Sequence, residues 1–112
     1  MKAVFAGADK RLVRGREYQI DVGNRGAQLF VVVHKPEPYI GTLTTYYPNF
    51  VEILREWNLE AEPSQIDIPG SEVDFLRGFL DGSSATARMN PAELAAVRDK
   101  AGLWFMLLNK SK

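Results

Sequence analysis

Residues 15–33 constrain the fold more than any other part of the chain, because they spell a β-hairpin. Tyr18, Ile20 and Val22 alternate with Glu17, Gln19 and Asp21, the period-two pattern of a strand with one buried face. The Gly23-Asn24-Arg25-Gly26 step follows, with Gly and Asn expected to supply the positive φ of a tight turn. The returning strand, Leu29 to Val33, is apolar on both faces, which predicts cover on both sides. A hairpin is marginal alone and needs further strands. Lys2-Ala3-Val4-Phe5 supplies a short one before it, ended by Gly7-Ala8-Asp9. Beyond Pro36 and Pro38, which break the ladder, Ile40 to Tyr47 supplies another from β-branched and aromatic residues.

Residues 50–57 support two readings. Phe50, Ile53, Leu54 and Trp57 stand at helical spacing, with Asn49 and Glu52 placed as a capping box. Alternatively, a turn at Pro48 to Phe50 leads into a last strand through Val51 and Ile53. Further on the pattern becomes helical. Ser71 with Asp74 predicts a helix start, Val73, Leu76, Phe79 and Leu80 its apolar face, and Asp81-Gly82 its end. After a Ser83–Thr86 loop, Asn90-Pro91-Ala92-Glu93 opens a second helix running to about Asn109. The expected organisation is a β domain over 1–57, a linker over 58–70 and a helical hairpin over 71–112, packed on the β domain or on a second subunit.

With 46% apolar residues in 112, one domain can bury a core without staples. The absence of cysteine excludes disulfides, thiolate nucleophiles, Cys-ligated zinc and iron–sulfur clusters, and favours a cytoplasmic setting. The opening residues turn charged at Asp9-Lys10-Arg11, too early for a signal peptide. Leu103 to Leu108, the most apolar run, falls far short of the roughly 20 residues needed to span a bilayer, so no membrane partner is expected. Fourteen basic residues balance fourteen acidic ones, which argues against a dominant affinity for nucleic acid or anionic lipid.

Leu12-Val13-Arg14-Gly15-Arg16-Glu17-Tyr18-Gln19-Ile20 resembles the L-x-x-G-x-x-Y-x-V pattern of small bacteriophage and prophage proteins with a Src-homology-like (SH3-like) barrel. The resemblance covers the first half of the chain. It implies that Gly15 turns into a strand whose Tyr18 packs inward, and that Phe50-Val51-Glu52-Ile53-Leu54 is the closing strand, which tips residues 50–57 toward strand. It further implies a phage or mobile-element origin, and hence the host cytoplasm, more than any activity. The helical half departs from the pattern.

No residue set spells a catalytic, metal or phosphate site. His34, the sole histidine, stands at a strand end without a nucleophile motif; a side chain half exposed to water is its ordinary role. Gly23 to Gly26 matches the G-x-x-G of a KH loop, but that loop joins helices and this one joins strands. Glu60, Glu62, Asp67, Glu72 and Asp74 lack calcium-loop spacing, and helix N-terminal position accounts for the last two.

Two surfaces are candidates for binding. The first gathers Arg11, Arg14, Arg16 and Arg25, with Lys10, beside the aromatic faces of Tyr39, Tyr46 and Tyr47, if the first loop and the hairpin tip lie together; interleaved acids dilute it toward a solvated loop. Pro36-Glu37-Pro38-Tyr39 adds a stiff extended segment suited to docking or to crossing the barrel rim. The second is the last helix. Leu94, Val97, Ala101, Trp104 and Leu108 form one stripe, and Leu103, Phe105, Met106 and Leu107 make its end apolar all round. Either the preceding helix and the barrel sandwich that end or a second subunit covers it; self-association through Trp104, Phe105 and Leu108 is the favoured reading.

The sequence therefore predicts an α+β protein, a small antiparallel β-barrel followed by a C-terminal α-helical hairpin. The function expected is a non-enzymatic protein-interaction module with no cofactor, with a host or virion protein as partner. Weak nucleic-acid binding through the basic loops is the alternative.

Overall fold

A computed structural model describes residues 1–26, 28–35, 41–60, 66, 68–82 and 89–110, the last without its side chain. Tyr39 with the Pro36–Tyr39 segment, Glu62, Asp67, most of the expected linker and the Ser83–Thr86 loop lie outside the described residues.

The fold is α+β, and the described residues form a five-stranded antiparallel sheet and three helices. The strands are β1 (Lys2–Phe5), β2 (Glu17–Arg25), β3 (Gln28–Lys35), β4 (Gly41–Tyr47) and β5 (Trp57–Glu60). The helices are α1 (Phe50–Glu56), α2 (Gly70–Leu80) and α3 (Pro91–Lys110). Sheet order is β4-β3-β2-β1-β5, so the last strand returns to lie beside the first. The sheet is open, because β4 and β5 do not pair, and closure into a barrel is not seen.

The 50–57 ambiguity resolves as a helix, against the strand implied by the resemblance. Asn49 Oδ1 accepts the Glu52 amide at 3.0 Å, and Phe50, Val51, Ile53 and Leu54 are buried along one face of the helix. Glu72, in the first turn of α2, accepts the Phe50 amide at 2.8 Å and so satisfies a second donor at the start of α1. The closing strand begins only at Trp57 and continues to Glu60, three residues into the segment expected as linker.

Gly15 does take a left-handed φ of 88°, and Tyr18 is buried with its hydroxyl accepting the Val13 amide at 2.9 Å. At the hairpin the turn is tighter than expected. Gly23 and Asn24 belong to β2, Arg25 pairs with Gln28, and Gly26 alone among the described turn residues has positive φ, 63°. The start of α2 also differs: Pro69 is its N-cap and Ser71 lies inside the helix. At α3 the cap is as expected, with Asn90 Oδ1 accepting the Glu93 amide at 2.8 Å.

One core joins the sheet's inner face to the helices. Ala3, Phe5, Tyr18, Ile20, Val22, Leu29, Val31 and Val33 of the sheet share one cluster with Phe50, Val51, Ile53 and Leu54 of α1, Val73, Leu76 and Phe79 of α2, and Val97, Ala101 and Trp104 of α3. Edge-on aromatic contacts run through it, Phe5 and Tyr18 against Trp57 and Phe50 against Trp104. Tyr47 Oη donates to Glu56 Oε2 at 2.6 Å and accepts from Trp57 Nε1 at 3.3 Å, pinning the end of β4 to the start of β5.

Candidate functional site: the outer face of the sheet

Alternation sends every second residue of β2, β3 and β4 away from the helices. The register aligns them in rows: Gly23, Phe30 and Tyr46; Asp21, Val32 and Thr44; Gln19, His34 and Thr42. The first row is an aromatic patch. Phe30 and Tyr46 lie with ring centroids 6.2 Å apart, and Tyr46 is 49% exposed. Gly23 is needed here for close approach, since a Cβ on it would stand 2.7 Å from Phe30 Cζ. The Phe30 ring thus lies over bare backbone, which explains why it is half-buried with no described element above it; Val32 beside it is half-buried as well. The expectation that β3 is covered on both sides is corrected among the described residues.

Polar groups frame this patch. Asp21 Oδ2 and His34 Nε2 are 2.7 Å apart across the β2–β3 ladder, both exposed. Farther toward β1, Lys2 and Glu17 approach to 4.0 Å. Arg25 and Gln28 end the face at the hairpin.

The basic set expected to converge does not. Arg16 and Arg25 flank opposite ends of the nine-residue β2, roughly 30 Å apart at ~3.3 Å per residue. Arg11 is held by Asp9 through Nε and Nη2, the latter at 2.7 Å, an exposed contact that raises the pKa of Arg11 and lowers that of Asp9. Arg16 lies with Cζ 5.7 Å from the centre of the Tyr18 ring. Tyr47 is buried and unavailable for stacking, and burial pushes its hydroxyl well above the ordinary tyrosine range, aided by Glu56. Of the two described tyrosines proposed for contact, Tyr46 is on the surface.

Arg14 instead lines a cleft of about 350 Å³ with Ala6, Arg55, Asn90, Glu93 and Lys100. Arg55 Nε sits 2.6 Å from Glu93 Oε1, without the alignment of a hydrogen bond, and Nη1 reaches Glu52 at 3.4 Å. Lys100 Nζ donates to the Leu54 carbonyl at 2.9 Å, and burial lowers its pKa. The cations here are largely spent on internal contacts.

No protein-family model, curated protein or solved structure matches the chain.

On α3, Trp104 and Leu108 are buried within their own chain and Phe105 is half-buried. The helix end is therefore not apolar toward solvent all round; Leu103 and Met106 are its exposed large residues. Sequence reasoning missed Phe30 and Val32 as surface residues by treating β3 as wholly core. Gly23, two residues inside the strand rather than in the turn, was the signal that a ring crosses β2 there. No group of three or more metal-ligating side chains is found among the described residues, and none of their helices is long and apolar enough to cross a membrane.

Proposed function

We propose that the chain is a non-enzymatic protein-interaction module whose binding surface is the outer face of the sheet around Phe30, Val32 and Tyr46. The observation that carries this reading is the Phe30–Tyr46 pair over Gly23, an aromatic surface that neither the core nor any helix of the described structure uses. Large aromatics held rigid on a sheet, with polar groups around them, are the ordinary anchors of protein recognition. The partner presents an apolar or aromatic side chain to the patch and hydrogen-bonding groups to the Asp21–His34 pair.

A Src-homology-like lineage is supported by Gly15 and Tyr18 and by the last strand pairing with the first. A phage or mobile-element origin goes with that resemblance. Nucleic-acid binding remains the second reading on one observation, that Arg14 and Arg25 make no ion pair with any described residue. Its test is salt-dependent retention on nucleic acid that disappears in Arg14→Glu.

For the interaction reading, peptides selected from a random library on the intact chain are titrated while backbone amide shifts are followed. Shifts centred on Gly23, Phe30, Val32 and Tyr46, lost in Tyr46→Ser, are expected. Selected peptides that shift another face, or bind Tyr46→Ser equally well, refute it.

A further inference from the structure

Strand β4 is the edge of the sheet, bonded to β3 on one side, and no described strand pairs with its other side. Exposed edges carry unpaired amides and carbonyls that invite another strand, and proteins blunt them with lysine, proline, bulges or short length. β4 has none of these. It reads Gly41-Thr42-Leu43-Thr44-Thr45-Tyr46-Tyr47, with no charge and no proline. Its register against β3 runs unbroken through seven pairs from Leu29–Tyr47 to Lys35–Gly41, leaving no bulge. The opposite edge contrasts with it, being four residues long with exposed Asn58 and Glu60.

We propose that β4 pairs antiparallel with β4 of a second copy of this chain about a two-fold axis at Thr44, joining two sheets into one of ten strands. Two properties of the strand favour a second copy over an unrelated peptide. Side-chain size rises along β4 from glycine and threonine to two tyrosines. Antiparallel self-pairing therefore sets large against small: Tyr47 meets Gly41 of the second copy, Tyr46 meets Thr42, Leu43 meets Thr45, and Thr44 meets Thr44. Charge is the second property. A strand with no ionised side chain meets its own copy without the repulsion that directly opposed like charges impose. The contact is isologous, so it closes at two copies and leaves no further β4 edge exposed.

Pairing also has a consequence for the outer face. Tyr46 and Phe30 of each copy lie on the same side of the joined sheet, so two aromatic patches are presented together across the axis. The inference does not depend on what those patches bind.

The absence of cysteine makes the register directly testable. Thr44→Cys places two thiols across the axis, where opposed Cβ atoms of an antiparallel pair lie about 4.5–5.5 Å apart, within reach of a disulfide after small adjustment. Gln19→Cys, exposed on β2 away from the edge, is the control. Light scattering on the intact chain over a wide concentration range is expected to show twice the chain mass at the upper end. Thr44→Lys puts two like charges at the axis and raises the dissociation constant on the order of 100-fold. Its circular dichroism and its urea midpoint at low concentration stay as in the intact chain, since Thr44 faces solvent in the monomer. Under mild oxidation Thr44→Cys links at least ~10 times faster than Gln19→Cys, as proximity requires. A monomer at every concentration overturns the proposal. So does a dimer untouched by Thr44→Lys, which would lie on another surface such as Leu103 and Met106, or equal linking of the two cysteine variants.

Discussion

Trp104→Ala separates a core role from an interface role for the last helix. Trp104 is 4% exposed, and its ring meets Phe50 edge-on at 5.9 Å between centroids. Truncating a buried tryptophan costs about 3–5 kcal/mol, part of it the aromatic pair itself. A chain of 112 residues has a total stability of roughly 6–17 kcal/mol at ~0.05–0.15 kcal/mol per residue, so the variant remains folded but loses a large fraction of its margin. With a urea dependence of about 1–2 kcal/mol per molar, the midpoint falls by roughly 1.5–5 M. The assay is urea unfolding followed by circular dichroism at several protein concentrations, beside Leu103→Ser. Because Trp104 packs within its own subunit, the gap between intact and Trp104→Ala midpoints is the same at each concentration. Leu103→Ser, at a position 58% exposed, moves stability by less than about 0.5 kcal/mol. A loss below about 1 kcal/mol in Trp104→Ala, or a gap that widens with concentration, refutes the packing argument.

Glu72→Ala removes the acceptor of the Phe50 amide and is expected to cost about 1–2 kcal/mol in urea unfolding, although residue 72 lies outside the sheet and outside α1. Tyr47→Phe leaves Trp57 Nε1 without its acceptor and costs about 1–3 kcal/mol at neutral pH. The same hydroxyl sets an alkaline limit: its folded pKa is raised, so its contribution is complete below the unfolded value of about 10 and declines as pH rises above it. Stability measured between neutral and strongly alkaline pH falls less steeply in Tyr47→Phe. Gly23→Ala collides with the far end of a half-exposed ring rather than with backbone, so it changes stability by under about 1 kcal/mol. It displaces Phe30 from Tyr46, seen as lost ring contacts in nuclear Overhauser spectra, and abolishes binding at the outer face.

Much of the fold was legible because local pattern and tertiary packing agree. β2 shows strict alternation and is half-buried accordingly, and Asn90-Pro91 opens α3 with the cap expected of it. Residues 50–57 were not legible as one element because they contain two: the helical spacing of Phe50, Ile53 and Leu54 is followed at once by a strand starting on Trp57, which fits both patterns. The β3 pattern misled for another reason. An apolar outer residue signals cover, yet Phe30 is half-covered by its own neighbours, the backbone of Gly23 and the ring of Tyr46. The basic cluster was overdrawn because sequence proximity of Arg16 and Arg25 conceals the length of the strand between them. Trp104 could be recognised as apolar from its position in the stripe, but periodicity does not tell which body covers a stripe, and here α1 of the same chain does.

The pairing of β1 with β5 reaches beyond statics to the order in which the fold can assemble. Lys2 is opposite Glu60 in that ladder, so the edge beside β1 stays open until the final strand has been made. The β2–β3–β4 meander needs only short loop closures and is free to form early. The step that brings β5 back across the whole sheet carries the large sequence separation that slows folding. Substitutions in the meander are thus expected to alter the folding rate differently from substitutions in Trp57–Glu60, and a nascent chain cut short of residue 57 exposes β1 as a second unprotected edge.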